Sequence, residues 1–480
     1  MKHSTRCLML ALLALGGHTR ARAQAVGQPG SAPGTPESQT GYVDLLAGLA
    51  YTDNAQLARG QRSGDGIGTA GIDADYARQG KLSLNLLGNV ERVEYLRGTF
   101  GGSFYGHFNG SAILGKPTDP LQWTFRDSFG EGSTDPLSAP SPANLQTINN
   151  LATGPIVNLH VGLANRLTFF GLYSRTSYQR SPFDSQSYQG GAEFSHRLSG
   201  ASSLSLQAST ERTRYIERSA VASYLGGTVP DYDIRQASVS YQTDLARARI
   251  LLRAGYNILD YGAGVRHGSP LYEVRISRGV SPYSTVFVSG HAAYSTNGTS
   301  MASPDRQITL QAGGVVNPGF AVAQPYLERS GALGWSFQRA RTHFSLVGTI
   351  RQAVFEQTIG PNSYNHRGED VVATLGRQLR PTMAVDLRVQ ADEERYSDLS
   401  ARSRWESVRL TLSKHLARMA IWLYAERRHQ SGTPGASTFT AASYDDNRIG
   451  LNFTYDLFGA RSVESAQGAM PGMAGSAAGY

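Results

Sequence analysis

The strongest constraint on the fold is a two-residue rhythm that the chain sustains from Tyr42 to Phe458. It is plainest in RIGLNFTYDLF, Arg448 to Phe458. Ile449, Leu451, Phe453, Tyr455 and Leu457 fall on one face of a strand, while Gly450, Asn452, Thr454 and Asp456 fall on the other. The same alternation runs through Val43-Leu45-Ala47-Leu49-Tyr51, Ile250-Leu252-Ala254-Tyr256-Ile258 and Val385-Leu387-Val389. No segment carries a sustained helical stripe, and no internal repeat is evident.

The rhythm predicts about 20 strands, between roughly 18 and 22, the first near 42–53, the sixth near 151–161, the twelfth near 271–279 and the last near 444–458. Their connections alternate in length. Turns near 79–80, 116–120, 244–247 and 339–340 are short, whereas 132–150, 217–231, 259–270 and 296–325 are longer. So many strands with one greasy face need a second layer to cover them in water, and lipid removes that need. The predicted fold is therefore all-β, a transmembrane antiparallel up-and-down β-barrel over residues 41–458, with both ends on the short-turn side. Mean hydropathy of −0.31 is compatible with this. A barrel strand offers only every second residue to lipid, and no apolar run after the N-terminus is long enough for a membrane helix.

Residues 1–23 read as a secretory signal. Lys2 and Arg6 precede an apolar run from Cys7 to Leu15, and Ala21-Arg22-Ala23 is a small-x-small cleavage pattern. Its removal takes Lys2, Arg6, Arg20 and Arg22 and no acid, lowering the formal charge from +8 to +4, a balance that does not point to nucleic acid. Cys7 leaves with it, so no disulfide, thiol nucleophile or thiolate metal site is expected. Residues 24–40 read as a flexible lead-in and 459–480 as a loose periplasmic tail.

The strand faces opposite the apolar stripe would line a lumen roughly 40 Å across between backbones. Candidate lining residues are Arg253, Glu273, Arg275, Asp386, Arg388, Asp392 and Arg409, although charges of both signs on a barrel interior also serve simply to pair and stiffen it. Arginine dominates the basic residues, only Lys2, Lys81, Lys116 and Lys414 being lysine. Coding bias in a GC-rich genome and selection for arginine in a pore both account for that. Trp422 and Tyr424 lie opposite Ile421, Leu423 and Ala425. The favoured reading makes them interfacial girdle aromatics, and the alternative places them in the lumen as sugar-stacking rings. Phe453, Tyr455 and Phe458 form the expected assembly signal of the closing strand, which would pair with Tyr42–Thr52.

NGTSMASP, 297–304, is similar to the nucleophile segment of subtilisin-like proteases and would make Ser300 the nucleophile. A serine needs a base and an orienting group, and the segments that would carry them are absent. Residues 297–304 therefore read as a Gly/Ser-rich loop. No phosphate loop, metal-ligand spacing or cofactor motif is present, and no enzyme activity is expected.

AYTDNAQL at 50–57 and GSTDPLSAPSPANLQTINNLATGP at 132–155 resemble the β-barrel porin family found with exopolysaccharide and exosortase-type (PEP-CTERM) gene clusters. Thr52-Asp53-Asn54 matches that family's turn after the first strand. Asp135-Pro136-Leu137, Pro142-Ala143-Asn144 and Thr153-Gly154-Pro155 match motifs it carries in a following loop. The resemblance implies an outer-membrane barrel of a Gram-negative envelope serving export or production of an extracellular polysaccharide. The implied partners are the polysaccharide and a periplasmic polysaccharide-export protein, besides outer-membrane lipid, lipopolysaccharide and the barrel assembly machinery. A general solute porin or a structural or adhesive barrel is the alternative reading.

Overall fold

The computed structural model describes residues 38–60, 62–135, 137–225, 231–262, 265–296, 319–320, 324–356, 364–397, 399–433 and 443–457. The signal, most of the lead-in, Ser300, Phe458 and the tail lie outside them. The strands are β1 (Ser38–Thr52), β2 (Asp65–Gln79), β3 (Leu82–Tyr95), β4 (Ser103–Leu114), β5 (Leu121–Ser133), β6 (Leu145–Val161) and β7 (Asn165–Tyr178). Then come β8 (Ser185–Arg197), β9 (Ser202–Tyr215), α1 (Arg218–Leu225), β10 (Tyr232–Leu245), β11 (Ala248–Asp260), β12 (Arg266–Ser281), β13 (Ser284–Ser295) and the two-residue β14 (Gly319–Phe320). The chain continues through β15 (Tyr326–Arg339), β16 (Thr342–Phe355), β17 (His366–Arg380), β18 (Met383–Tyr396), β19 (Ala401–His415), β20 (Met419–Thr433) and β21 (Tyr444–Asp456).

Each strand other than β14 pairs antiparallel with its sequence neighbours, β13 passing directly to β15, and β21 pairs back onto β1 from Asp44↔Asp456 to Thr52↔Arg448. The result is a closed 20-strand barrel. Closure satisfies the main-chain groups that an open edge would leave bare, which is what hydrocarbon demands of a spanning strand.

Alternation sorts the side chains. Leu49, Leu206, Leu333, Ile350, Leu410 and Ile449 face outward and are exposed, whereas Asp370, Gln390, Asp392 and Glu426 face inward and are buried. A wall greasy outside and polar inside is the arrangement of a transmembrane barrel. Among the described residues no helix is long and apolar enough to cross a membrane.

Differences from the predicted strands have local causes. β1 begins at Ser38, so Ser38–Thr40, expected in the lead-in, pair with Ala77–Gln79. β6 begins at Leu145 and not near 151. Its first residues, LQTINN, put one apolar residue on each face, Leu145 on one and Ile148 on the other, so no alternation marks them. β12 starts at Arg266 despite Pro270, because residues 266–271 pair only with β11 and the missing N–H of proline costs no ladder bond there. Thr153-Gly154-Pro155, which the family resemblance puts in a loop and the strand rhythm puts in the strand near 151–161, lies in the middle of β6. A Cβ on Gly154 would stand 1.8 Å from the Gly171 carbonyl oxygen, so only glycine lets β6 press this closely on β7.

Candidate functional site

The most heavily charged part of the lumen wall is formed by β16 to β21. Arg351 of β16 reaches over β17 to Asp392 at 2.8 Å and Glu394 at 3.1 Å on β18. It crosses at Gly368, the residue in register between Arg351 and Glu394; a Cβ there would lie 2.7 Å from Arg351 Nε. A second strap repeats the device lower down. His343 Nε2 meets Asp386 Oδ1 at 3.1 Å above Gly376, where a Cβ would fall 1.9 Å from the imidazole. Between the straps the Gln390 amide donates to Asp370 at 2.9 Å. The Tyr396 hydroxyl donates to Glu394, also at 2.9 Å. The two straps tie β16 to β18 across β17, and all four links give buried charges a partner.

Beyond β18 the wall turns basic. Arg388 and Arg409 stand directly opposite each other on β18 and β19. Arg409 and Arg428 converge on Glu426 at 3.9 and 2.9 Å, and Arg448 holds Asp446 at 2.6 Å. Asp446 also accepts from the Thr52 hydroxyl across the β1–β21 seam. Among the described residues Arg388 forms no ion pair.

Trp422 and Tyr424 correct the favoured girdle reading: they share the inward face with Glu426 and Arg428, while Leu423 points outward. Tyr424 is not an open platform, because the Arg409 guanidinium lies 4.0 Å above its ring. The outward aromatics instead include Trp123 and Trp335, near the short-turn ends of β5 and β15, whose indoles donate to Thr153 and Ser284.

The other predicted lining residues form a separate group. Arg253 and Arg275 flank Glu273 at 3.9 and 2.5 Å, and Arg253 also donates to Ser238 at 2.9 Å. Thus Arg253, Glu273 and Arg275 are brought together, Arg388 and Arg409 are brought together, and Asp386 and Asp392 belong to the two straps. Of the assembly residues, Phe453 and Tyr455 face outward, and Phe458 lies outside the described residues. Ser300 lies outside them too. Among the described residues no group of His, Cys, Asp or Glu is placed to hold a metal ion.

The long-loop end carries a second feature. The β5–β6 loop is knotted round Asn144, whose side chain accepts from Asp135 N at 2.8 Å and donates to Asp135 O at 2.8 Å and Ser138 O at 3.2 Å. Arg180, from the β7–β8 loop, clamps the Pro142 and Ala143 carbonyls. The loop then leans over the mouth: Leu137, fully buried, packs on Tyr396, Leu399 and Ala401 of the β18–β19 hairpin, with β20, β21, β1, β2, β3 and β4 lying between along the wall. From the other side β14 adds in parallel to Gly132–Ser133 of β5. α1 and the β7–β8 loop meet an apolar cluster of Phe183, Val221, Tyr232, Leu259 and Tyr261.

Thr52-Asp53-Asn54 closes the seam. Asp53 and Asn447 exchange main-chain and side-chain bonds at 2.7–3.1 Å, and the Asn54 amide donates to the Asp445 carbonyl at 2.8 Å. Burial alone would raise the Asp53 carboxyl, but hydrogen bonds from Asn447 and the charge of Arg62 hold it below its ordinary 3.8.

No family model and no curated protein matches the chain. Among solved structures it is similar to the siderophore receptor PirA from Pseudomonas aeruginosa, at 12% identity and a TM-score of 0.40 over 87% of this chain and 80% of that one. Another is OccK2 of Pseudomonas aeruginosa in complex with glucuronate, at 11% identity and 0.39 over 87% and 98%. A third is the FrpB iron transporter from Neisseria meningitidis, at 8% and 0.38 over 86% and 82%.

Sequence reasoning missed Arg351, Glu394 and Asp446, and it put Glu426 and Arg428 on the face of Trp422 and Tyr424 without making them lining residues. Alternation places each on a polar face, but only register shows which polar residues meet. The glycines Gly368 and Gly376 were the available signal: in-phase gaps on an inward face are where neighbours can reach across.

Proposed function

We propose that the protein is a channel of the outer membrane, through which an extracellular polysaccharide or its smaller saccharide relatives pass. The observation carrying this reading is the segregation of the closed wall, with the apolar stripe outside and the charged ribbon of β16 to β21 inside. Such a ribbon keeps water in a lumen, and its paired charges hold the wall rigid. The polysaccharide pathway rests on the resemblance of residues 50–57 and 132–155 to the exopolysaccharide-associated porins. Residues 1–23 are proposed to be removed after Ala23, so the mature chain should begin at Gln24.

The test is twofold. The purified barrel should give stepwise ion conductance in planar bilayers, and deletion of its gene should lower surface polysaccharide. A folded barrel that never conducts sinks the channel. Conductance with unchanged surface polysaccharide leaves a general solute porin. The loop contacts over the mouth favour one second reading, a closed structural or adhesive barrel, for which deletion would alter surface attachment and leave secreted polysaccharide unchanged.

A further inference from the structure

The basic wall of β18 to β21 has a composition that structural pairing alone does not explain. Four guanidiniums, Arg388, Arg409, Arg428 and Arg448, surround two carboxylates, Glu426 and Asp446. Both carboxylates lie beneath them: their side chains are 2% and 0% exposed, against 24%, 22% and 18% for Arg409, Arg428 and Arg448. Around these two carboxylates the wall therefore offers arginine to the lumen, and the one more exposed carboxylate beside it, Asp386, is taken by His343 at 3.1 Å. Arg388 has no ion pair among the described residues and stands opposite Arg409, an in-register like-charge pair that the nearby Glu426 and Asp386 relieve only from a distance and that a bound anion would relieve directly. Tyr424 beneath Arg409 holds that guanidinium in place, so the donors are partly preorganised.

Two indoles bracket the arginines along the pore. Trp422 precedes them towards the short turns on β20, and Trp405 follows them towards the loops on β19, beside Tyr444. From Trp422 to Arg428 the strand rises about 20 Å. Guanidinium forks take carboxylates in two-point contact, and indole faces take the C–H surfaces of pyranose rings.

We propose that this wall is a binding site for an acidic oligosaccharide, its uronate carboxylates on Arg388, Arg409 and Arg428 and its ring faces on Trp422 and Trp405. The proposal deepens the channel reading by naming the class of solute.

The experiment titrates the folded barrel in detergent with tri-galacturonate and, separately, with neutral maltotriose, following indole fluorescence and binding heat. Tri-galacturonate should bind and maltotriose should not. The pair Arg388→Gln and Arg428→Gln should weaken tri-galacturonate binding at least about tenfold, and about 1 M salt should weaken it in the wild type. Arg388→Lys, which keeps the charge and loses the fork, should fall between, and resistance to unfolding in cold detergent checks that each variant is folded. Equal binding of the two sugars, or unchanged binding in the folded double variant, overturns the proposal. Conductance of the same preparations is read separately: binding without conductance leaves this site standing and removes the channel reading, whereas conductance without binding removes only the site.

Discussion

The two ends of this barrel are built on different principles. At one end successive strands join through a few residues, as between Arg339 and Thr342 or Leu245 and Ala248, and the outward Trp123 and Trp335 sit just above. At the other end the connections fold back on the molecule. Leu137 crosses the mouth to Tyr396, α1 meets the β7–β8 loop, and Asp53 latches the first strand to the last. The short-turn end fixes register, which one tight turn does cheaply. The loop end is held by its own side chains, and in the Leu137 contact it joins segments that are strangers along the wall.

The largest effect should follow from removing the crossing loop. Replacing residues 134–144 by a short Gly-Ser turn should raise single-channel conductance several-fold with the barrel still assembled, since β5 and β6 keep their ladder from Leu121↔Val157 to Ser133↔Leu145. Leu137→Ala alone should act in the same direction more weakly. Losing a fully buried leucine costs about 2–5 kcal/mol where the site cannot collapse, enough to free the loop tip from its anchor without unfolding the wall. Conductance traces and protease nicking within the loop are the measurements. No change in either would place the gate elsewhere and break the contrast between the ends.

A smaller and pH-dependent effect belongs to the seam. The Asp53 carboxyl is held below its ordinary 3.8 by Asn447 and Arg62. A carboxyl depressed in the folded state contributes stability above its unfolded value, and that contribution disappears as pH falls below about 3.8 through the folded one. Hydrogen exchange at the Asn447 amide, corrected for intrinsic rate, should therefore accelerate below that pH in the wild type. In Asp53→Asn it should be fast throughout. A wild-type rate that ignores pH would mean the carboxylate does not hold the latch.

The contrast between the ends also explains what the sequence made legible. The wall was readable because every strand repeats one local rule, and RIGLNFTYDLF already identified itself as the closing strand. Its partner was read as Tyr42–Thr52, and the ladder runs from Asp44 to Thr52. Arg388 and Arg409 were legible as inward residues, but their facing each other depends on a register between hairpins that no local pattern encodes. Trp422 was misread because an aromatic on a barrel strand has two homes, and only the burial of its neighbours separates them. The loop motif was legible as turn chemistry, since Asn144 organises the loop as such residues do. That Leu137 beside it anchors on the β18–β19 hairpin was not, because the contact spans most of the chain.

The smallest effect should come from the short-turn end. Ala340, in the turn between β15 and β16, holds φ of 48°, a conformation in which its Cβ crowds the following carbonyl. Glycine removes that crowding, worth about 1 kcal/mol, but gives the unfolded chain more freedom, so part of the gain is returned. Ala340→Gly should therefore raise the unfolding midpoint slightly or leave it unchanged, and conductance should not move, because Arg339↔Thr342 already sets the register of this hairpin. Ala340→Val should move stability the other way, since a β-branched residue tolerates positive φ poorly. If either substitution altered conductance as much as Leu137→Ala does, the short turns would share in controlling the pore, and the division of labour between the two ends would fail.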